Sequence, residues 1–238
     1  MCTVSYTPSS ISDSPLCFTL VSNRDESPLR KTIAPSESNG IVFPQDEEAG
    51  GTWIAAAANG RVCCLLNGAF VKHDRFPNYS RSRGRLILEL CEFENVESFF
   101  REVNLEGVEP FTLIVVDSLS VDGGNEGEAK AKELSLWEFR WDYKSKHIIK
   151  LDAYKKKVWA SSTLYSPEIQ LARVMLFEGW KGDVLDFHKS NDVILSPTNG
   201  VSTVSITQVV STENEMEMIY NDLVKNEVIT VPCTPVLQ

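Results

Sequence analysis

The 238-residue sequence is 42% hydrophobic and 24% charged, which is sufficient for a sizeable core and ordinary for a globular protein. The formal net charge of −10 makes nucleic acid an unfavourable partner, because an acidic surface repels phosphate groups. The sequence shows no apolar run of ~20 residues and no secretory signal, so we expect one cytoplasmic domain over residues 1–238 without stable membrane insertion.

Two strands are predicted at the start of the chain, joined by the turn-forming sequence PSSISDSP. Residues 2–7 alternate between two faces, and residues 16–22 form the second strand. The tetrapeptide Asn-Arg-Asp-Glu follows at 23–26. Antiparallel pairing brings the start of the first strand beside the end of the second. This geometry predicts that Cys2 lies close to Arg24.

The rest of the chain alternates between strand clusters and two helical blocks. Asn59-Gly60 lies between two apolar runs and predicts a hairpin with a type I′ turn and strands at 52–58 and 61–66. Helices are predicted at 83–93, 96–103, 167–180 and 183–188, and further strands at 111–117, 134–141, 147–152, 157–162, 202–210 and 214–222. Two mostly antiparallel sheets between helix layers would cover every apolar face. We therefore predict an α+β protein with a four-layer αββα sandwich.

The cysteines and histidines do not form a metal-binding motif. None of the six cysteines belongs to a C-x-x-C pair, and the three histidines are far apart in sequence. We expect no metal site, and we expect most of the thiols to be reduced core residues.

Cys2 is a candidate nucleophile. If Met1 is removed, the α-amine of Cys2 becomes free, and its reference pKa of about 7.7–8.0 lets it act as the base for its own thiol. Arg24 could favour the thiolate, Asp25 could anchor the amine or the arginine, and Asn67 could donate to an oxyanion. The alternative is that Cys2 is a small buried hydrophobic residue and that the tetrapeptide is a turn with a surface ion pair.

Five segments together resemble a known family. They are the initial Met-Cys, NRDE at 23–26, GGTW at 50–53, NGRVCCLLN ending at Asn67, and SRGRL at 82–86. This combination resembles the NRDE family, also called the transport and Golgi organisation protein family, which is similar to N-terminal nucleophile (Ntn) cysteine hydrolases. The resemblance implies an αββα fold, with Cys2 as nucleophile, Arg24 and Asp25 as its supports and Asn67 as an oxyanion donor.

The second half of the chain departs from that pattern at two places. Ser161 stands where relatives carry an asparagine that faces the nucleophile, and Val201 stands where they carry an arginine. The loss of one oxyanion donor raises the barrier by about 3–4 kcal/mol. No neighbour in the sequence restores the charge of the arginine. These departures count against efficient hydrolysis of an amide.

The resemblance also implies a ligand-binding function, because some members are associated with intracellular haem trafficking and others with lipids or acyl groups. We expect a pocket open over residues 55–58 and rimmed by Trp53, Phe70, Arg81, Arg83 and Arg85. Such a pocket would take a hydrophobic carboxylate ligand, either haem or an acyl compound, and the protein would require no cofactor. Two other readings stay open: a Cys2 amidohydrolase, and a protein-interaction role with an apolar surface patch.

Overall fold

A computed structural model of the protein describes residues 3–9, 17–74, 79–121 and 131–233. The strands within these ranges are β1 Thr3–Pro8, β2 Phe18–Glu26, β3 Thr32–Ser38, β4 Ile41–Asp46, β5 Ile54–Ala57, β6 Val62–Asn67, β7 Phe111–Val121, β8 Ala131–Trp141, β9 Lys146–Leu151, β10 Lys157–Ala160, β11 Ser202–Ser211, β12 Met216–Asp222 and β13 Glu227–Pro232. The helices are α1 Arg83–Glu92, α2 Val96–Glu102, α3 Pro167–Gly179 and α4 Val184–Lys189. None of the helices in these ranges is long and apolar enough to cross a bilayer.

The strands form two antiparallel sheets. Sheet A has the order β10-β1-β2-β11-β12-β13, and sheet B has the order β3-β4-β5-β6-β7-β8-β9. Helices α1 and α2 pack on the outer face of sheet B, and α3 and α4 pack on the outer face of sheet A. The predicted four-layer αββα sandwich is confirmed.

Alternation within the strands assigns each buried side chain to one layer. Val4 and Tyr6 of β1 lie in the core between the sheets. Cys64 also faces this inter-sheet core, whereas its neighbour Cys63 faces α1, as expected for adjacent strand residues. The five cysteines that the structure describes are all buried, and none of these five forms a disulfide.

The Asn-Arg-Asp-Glu segment is part of a strand, so the predicted end of β2 is wrong. β2 continues to Glu26 because it lies between two partners, with Asn23 opposite Thr3 of β1 and Asp25 opposite Thr203 of β11. These partners cover the polar residues Asn23, Arg24 and Asp25 and leave them buried. The interpretation of this segment as an exposed turn is therefore also wrong.

The hairpin between β5 and β6 is confirmed, but its turn differs from the predicted type. Gly60 has a φ of 92°, whereas Asn59 does not adopt a positive φ, which a type I′ turn requires at both positions. The N–H of Gly60 donates to Ala57 O, and the N–H of Ala57 donates to Arg61 O. The result is a three-residue loop in which only the glycine needs the left-handed conformation.

The sequence pattern did not predict three of the strands, β3, β4 and β13. β3 and β13 are the edge strands of their sheets and are largely exposed. Each of the three contains a proline, at Pro35, Pro44 and Pro232, and proline lowers the strand signal because it cannot donate to the ladder. The sheets therefore extend further than the hydrophobic pattern indicated.

Candidate functional site

The β1–β2 hairpin brings the start of the chain to the Asn-Arg-Asp-Glu segment. Thr3, which follows Cys2 in the sequence, pairs with Asn23 of β2. Cys2 itself lies outside the described residues, so its predicted place beside Arg24 stays a prediction. The hairpin geometry on which that prediction depends is confirmed.

Arg24 occupies the inter-sheet side of β2 and is 2% exposed. Its Nη2 lies 2.7 Å from Asp46 Oδ2, and its guanidinium carbon lies 4.7 Å from the ring centroid of Trp53. The predicted anchoring of Arg24 by Asp25 is therefore wrong, because Asp46 of β4 is the paired carboxylate. Burial opposes ionisation of Asp46, but the Ala49 N–H and the guanidiniums of Arg30 and Arg24 lower its pKa.

A cavity of about 100 Å³ lies beside Arg24, and its wall brings together four of the predicted site residues. These four are Arg24, Trp53, Asn67 and Arg83. Arg83, at the start of α1, also forms an ion pair of 3.1 Å with Glu109. Arg85 is exposed on the same helix and is not part of this wall.

The predicted pocket over residues 55–58 is wrong. Ala55, Ala56 and Ala57 are buried, with Ala55 and Ala57 packed against the α1 layer. Phe70 lies outside the wall of the cavity and stacks edge-on against His147 at 4.9 Å. The small side chains therefore admit a helix rather than a ligand.

Asp25 faces the opposite side of β2 from Arg24, toward the layer of α3 and α4. Its Oδ2 accepts a hydrogen bond of 2.7 Å from the Tyr165 hydroxyl, and its Oδ1 accepts one of 2.5 Å from the Thr203 hydroxyl. Asp25 is 4% exposed, so both bonds are shielded from solvent. The role of Asp25 as an anchor for the α-amine of Cys2 stays a prediction.

A second buried network in this layer was missed by the sequence reading. His188 of α4 is fully buried, with Nε2 2.7 Å from Ser5 Oγ and Nδ1 2.6 Å from Asn23 Oδ1. Because Asn23 Nδ2 donates to the His188 carbonyl, Asn23 Oδ1 is the acceptor and Nδ1 carries the proton. Burial and the charge of Arg173 lower the pKa of His188 to about 3, so the ring is neutral. No local motif in the sequence signals this network.

Comparisons with known proteins place the chain in a family and in a fold. The sequence model described as Transport and Golgi organisation 2 matches residues 1–139. The chain belongs to the Transport and Golgi organisation 2 family. A search of curated protein sequences gave no significant match.

Solved structures that resemble this family member have the Ntn-hydrolase fold. The C2A mutant of the conjugated bile acid hydrolase from Clostridium perfringens has a TM-score of 0.56 and 11% identity, covering 98% of this chain and 92% of that chain. The Caenorhabditis elegans ortholog of N-acylethanolamine-hydrolyzing acid amidase has a TM-score of 0.57 and 14% identity, covering 88% and 92%. At this identity the likeness shows the fold alone.

Two positions distinguish this member of the Transport and Golgi organisation 2 family from the pattern that the resemblance implies. The hydroxyl of Ser161 donates to Asn67 O at 2.7 Å and lies 3.0 Å from Thr163 Oγ1, so it holds the end of β6. Val201 is half-buried just before β11. The structure thus places Ser161 at Asn67, and the loss of an oxyanion donor at this position stays a prediction.

The helix layer on sheet A contains a buried guanidinium, although position 201 carries a valine in place of an arginine. Arg173 of α3 is 5% exposed, and its Nη1 donates to Thr3 Oγ1. The expectation that no sequence neighbour of Val201 restores the charge stays a prediction. In the sequence, Arg173 stands in a mostly apolar helical segment, where a charged residue indicates an exposed position. Only the packing of α3 shows that Arg173 is buried.

Proposed function

We propose that the protein binds an acyl-type carboxylate ligand in the inter-sheet cavities at Arg24. The single observation that carries this proposal is that two cavities share Arg24 and Arg30 as lining residues. The first, of about 100 Å³, is smaller than most small-molecule sites, which span roughly 300–1,000 Å³. The second has a volume of about 350 Å³ and falls within that range.

The second cavity combines apolar walls with basic groups. Its lining includes the apolar residues Ile33, Val204 and Val224. Its basic residues, Lys31 and Lys225 with the two shared arginines, outnumber the acidic Glu47 and Asp222. A carboxylate head could meet the basic groups while an apolar chain contacts the aliphatic side chains. This distribution of charge and apolar surface favours an anionic amphipathic ligand.

An acyl compound suits this lining better than haem does. In the described part of both linings there is no histidine or cysteine to ligate iron. Tyr220 lines the second cavity, but its pKa is raised, chiefly by burial, which disfavours the phenolate that would bind iron. The fold likeness to an N-acylethanolamine-hydrolyzing acid amidase also supports an acyl ligand.

Calorimetric titration of the protein with fatty acids of increasing chain length, and separately with haem, tests the proposal. Arg30→Met should weaken fatty-acid binding about tenfold or more, because it removes a charged donor from both cavities. Arg101→Met removes an exposed arginine of α2 and should leave binding unchanged. The absence of fatty-acid binding, or equal binding by Arg30→Met and the parent protein, would contradict the proposal.

A second candidate function is amide hydrolysis by Cys2, and the observation that favours it is the pairing of Thr3 with Asn23. Extended by one residue, this register would set Cys2 opposite Arg24. The Cys2 thiolate would attack the amide carbonyl, and its α-amine would pass the thiol proton to the departing amine. Water would then hydrolyse the thioester, releasing the acid and restoring the thiol.

The intact mass of protein expressed in cells, with and without brief iodoacetamide treatment, tests this candidate. Loss of one methionine and rapid single alkylation, abolished in Cys2→Ala, is the expected result. Retention of Met1 leaves Cys2 without its own free amine and would contradict the hydrolase. Fatty-acid binding by Cys2→Ala should stay near the parent value, which separates the two candidate functions.

A further inference from the structure

Arg173 is a buried cation that joins three separate segments of sheet A and its helix layer. From α3, Nη1 donates to the hydroxyl of Thr3 at 2.5 Å and Nη2 donates to Val193 O at 2.9 Å. Its guanidinium carbon lies 3.7 Å from the ring centroid of Tyr165. A planar guanidinium can make these contacts together because its donors point in different directions while its face stacks on a ring.

Tyr165 connects this cation to the Asp25 carboxylate. The Tyr165 ring stacks on the guanidinium of Arg173, and its hydroxyl donates to Asp25 Oδ2 at 2.7 Å. The hydroxyl of Thr203 holds the other carboxylate oxygen. Arg173 and Asp25 are 5% and 4% exposed, so Tyr165 links two buried charged groups of opposite sign.

Arg173 is not fully hydrogen-bonded in its buried position. Its Nε is buried and has no hydrogen-bond partner within the described ranges. An unmet donor in a buried position is unfavourable, so the contacts to Thr3 and Tyr165 must offset this loss. The cation is held by the segments that it joins.

We propose that Arg173 is a positioning residue of the candidate site. It fixes the start of β1 through Thr3, and it orients the Asp25 carboxylate through the ring of Tyr165. Helix α3 thereby holds Thr3 at the start of β1. The placement of β1 and Asp25 does not depend on either proposed function. The predicted effect on Cys2 reactivity rests on the second candidate function, amide hydrolysis.

Hydrogen exchange measured by mass spectrometry on the full chain tests the first part. Arg173→Lys keeps the charge but loses the forked donors, so the amides of β1 should exchange about tenfold faster. Arg61→Lys is the matched control, because Arg61 is 2% exposed and paired with Asp117 in the other helix layer. It should leave β1 unchanged. Equal exchange of β1 in both variants would overturn the proposal.

The pH dependence of Cys2 alkylation by iodoacetamide tests the second part, with Cys2→Ala as the blank. Arg173→Lys and Tyr165→Phe should each move the midpoint by about half a pH unit or more, since both disturb the Asp25 carboxylate. Arg61→Lys should keep the parent midpoint. Tyr165→Phe keeps the ring on Arg173 and removes only the hydroxyl, so it also serves if Arg173→Lys does not fold.

The outcomes separate this proposal from the hydrolase. A parent protein that retains Met1 or leaves Cys2 unreactive contradicts the hydrolase, and the exchange of β1 then decides the role of Arg173. A reactive Cys2 whose profile is identical in the parent protein, Arg173→Lys and Tyr165→Phe overturns the positioning role while the hydrolase stands.

Discussion

At the scale of single residues, His188 joins α4 to the first hairpin as a neutral ring. It accepts from Ser5 of β1 and donates to Asn23 of β2, and it is fully buried. Burial disfavours the charged form of the ring, and protonation would also place a second cation near Arg173, so the pKa of His188 falls to about 3. Folding therefore excludes the charged form of this side chain.

Acid should destabilise the protein through His188. The unfolded chain takes up a proton near pH 6.5 and the folded chain only near pH 3, so stability is full above pH 6.5 and decreases as pH falls toward 3. Between pH 6.5 and 5 the free energy of unfolding should fall by about 2 kcal/mol from this group. Urea unfolding at pH 7, 6 and 5 measures it.

His188→Gln should flatten this dependence by about 1 kcal/mol per pH unit, because glutamine has no proton to gain. His147→Gln is the control, since this histidine lies half-buried on β9 and pairs with Asp142. It should retain the parent slope between pH 6.5 and 5. A His188→Gln slope equal to that of the parent would show that the ring is not kept neutral by the fold.

At the scale of elements, the start of α1 lies close to residues 51–52, just before β5, because Gly84 and Gly51 face each other at the contact. A Cβ on Gly84 would lie 2.6 Å from Thr52 O and 2.8 Å from Thr52 N. A Cβ on Gly51 would lie 3.0 Å from the backbone of Gly84. This contact sets the start of α1, and with it Arg83, on the wall of the first cavity.

Gly84→Ala should lower the free energy of unfolding by about 1–3 kcal/mol, because backbone atoms of Thr52 must move to admit the methyl group. Gly179→Ala, at the end of α3, is the matched control, since a Cβ there has no heavy atom within 4 Å. It should be neutral or stabilising by up to about 1 kcal/mol. Thermal denaturation compares the two, and equal melting temperatures would contradict the close contact.

At the scale of the whole molecule, the two helix layers are held by different kinds of interaction. The α1–α2 layer packs on sheet B through a large apolar cluster that includes Leu86, Leu90 and Phe100. In the described part of the α3–α4 layer, four buried hydrophobic residues form the apolar cluster: Val158, Phe177, Phe187 and Val193. Partly buried side chains pack against this cluster, and the polar network of Asp25, Arg173 and His188 adds to the contact.

Native-state hydrogen exchange should therefore show that α3 opens at a lower free energy than β7. The apolar area removed from water is smaller in the α3–α4 layer, and polar contacts yield less net stability than apolar burial of similar extent. Helix α1, of similar length but packed on the apolar cluster, should open with the strands. Protection of α3 equal to that of β7 would contradict this order.

Much of the fold could be predicted because apolar periodicity reports burial directly. The continuous apolar run at Phe111 identified β7, which is buried on both faces. The start of α2 at Val96 was predicted, and there the Asn95 side chain accepts from the N–H of Ser98. The edge strands β3 and β13 were not predicted, because an exposed strand has little apolar alternation in its sequence.

The candidate site could be predicted as residues but not as contacts. Arg24, Trp53, Asn67 and Arg83 line one cavity, although the sequence assigned Arg24 and Asn67 to a nucleophile and Trp53 and Arg83 to a pocket rim. The partner of Arg24 is Asp46, because adjacent strand residues point to opposite faces and Asp25 therefore turns away. Because β2 continues through the Asn-Arg-Asp-Glu motif, the adjacency of Arg24 and Asp25 in the sequence does not bring their side chains together.

The sequence by itself determined the layers, because the spacing of apolar residues decides which face of each strand or helix leaves water. It also determined the family, through short motifs in the first ninety residues. Only the tertiary structure decided which buried charged groups are linked. Arg173 and Asp25 lie far apart in the chain, and the packing of α3 on sheet A joins them through Tyr165. Such pairings depend on the docking of whole elements, which leaves no local pattern in the sequence.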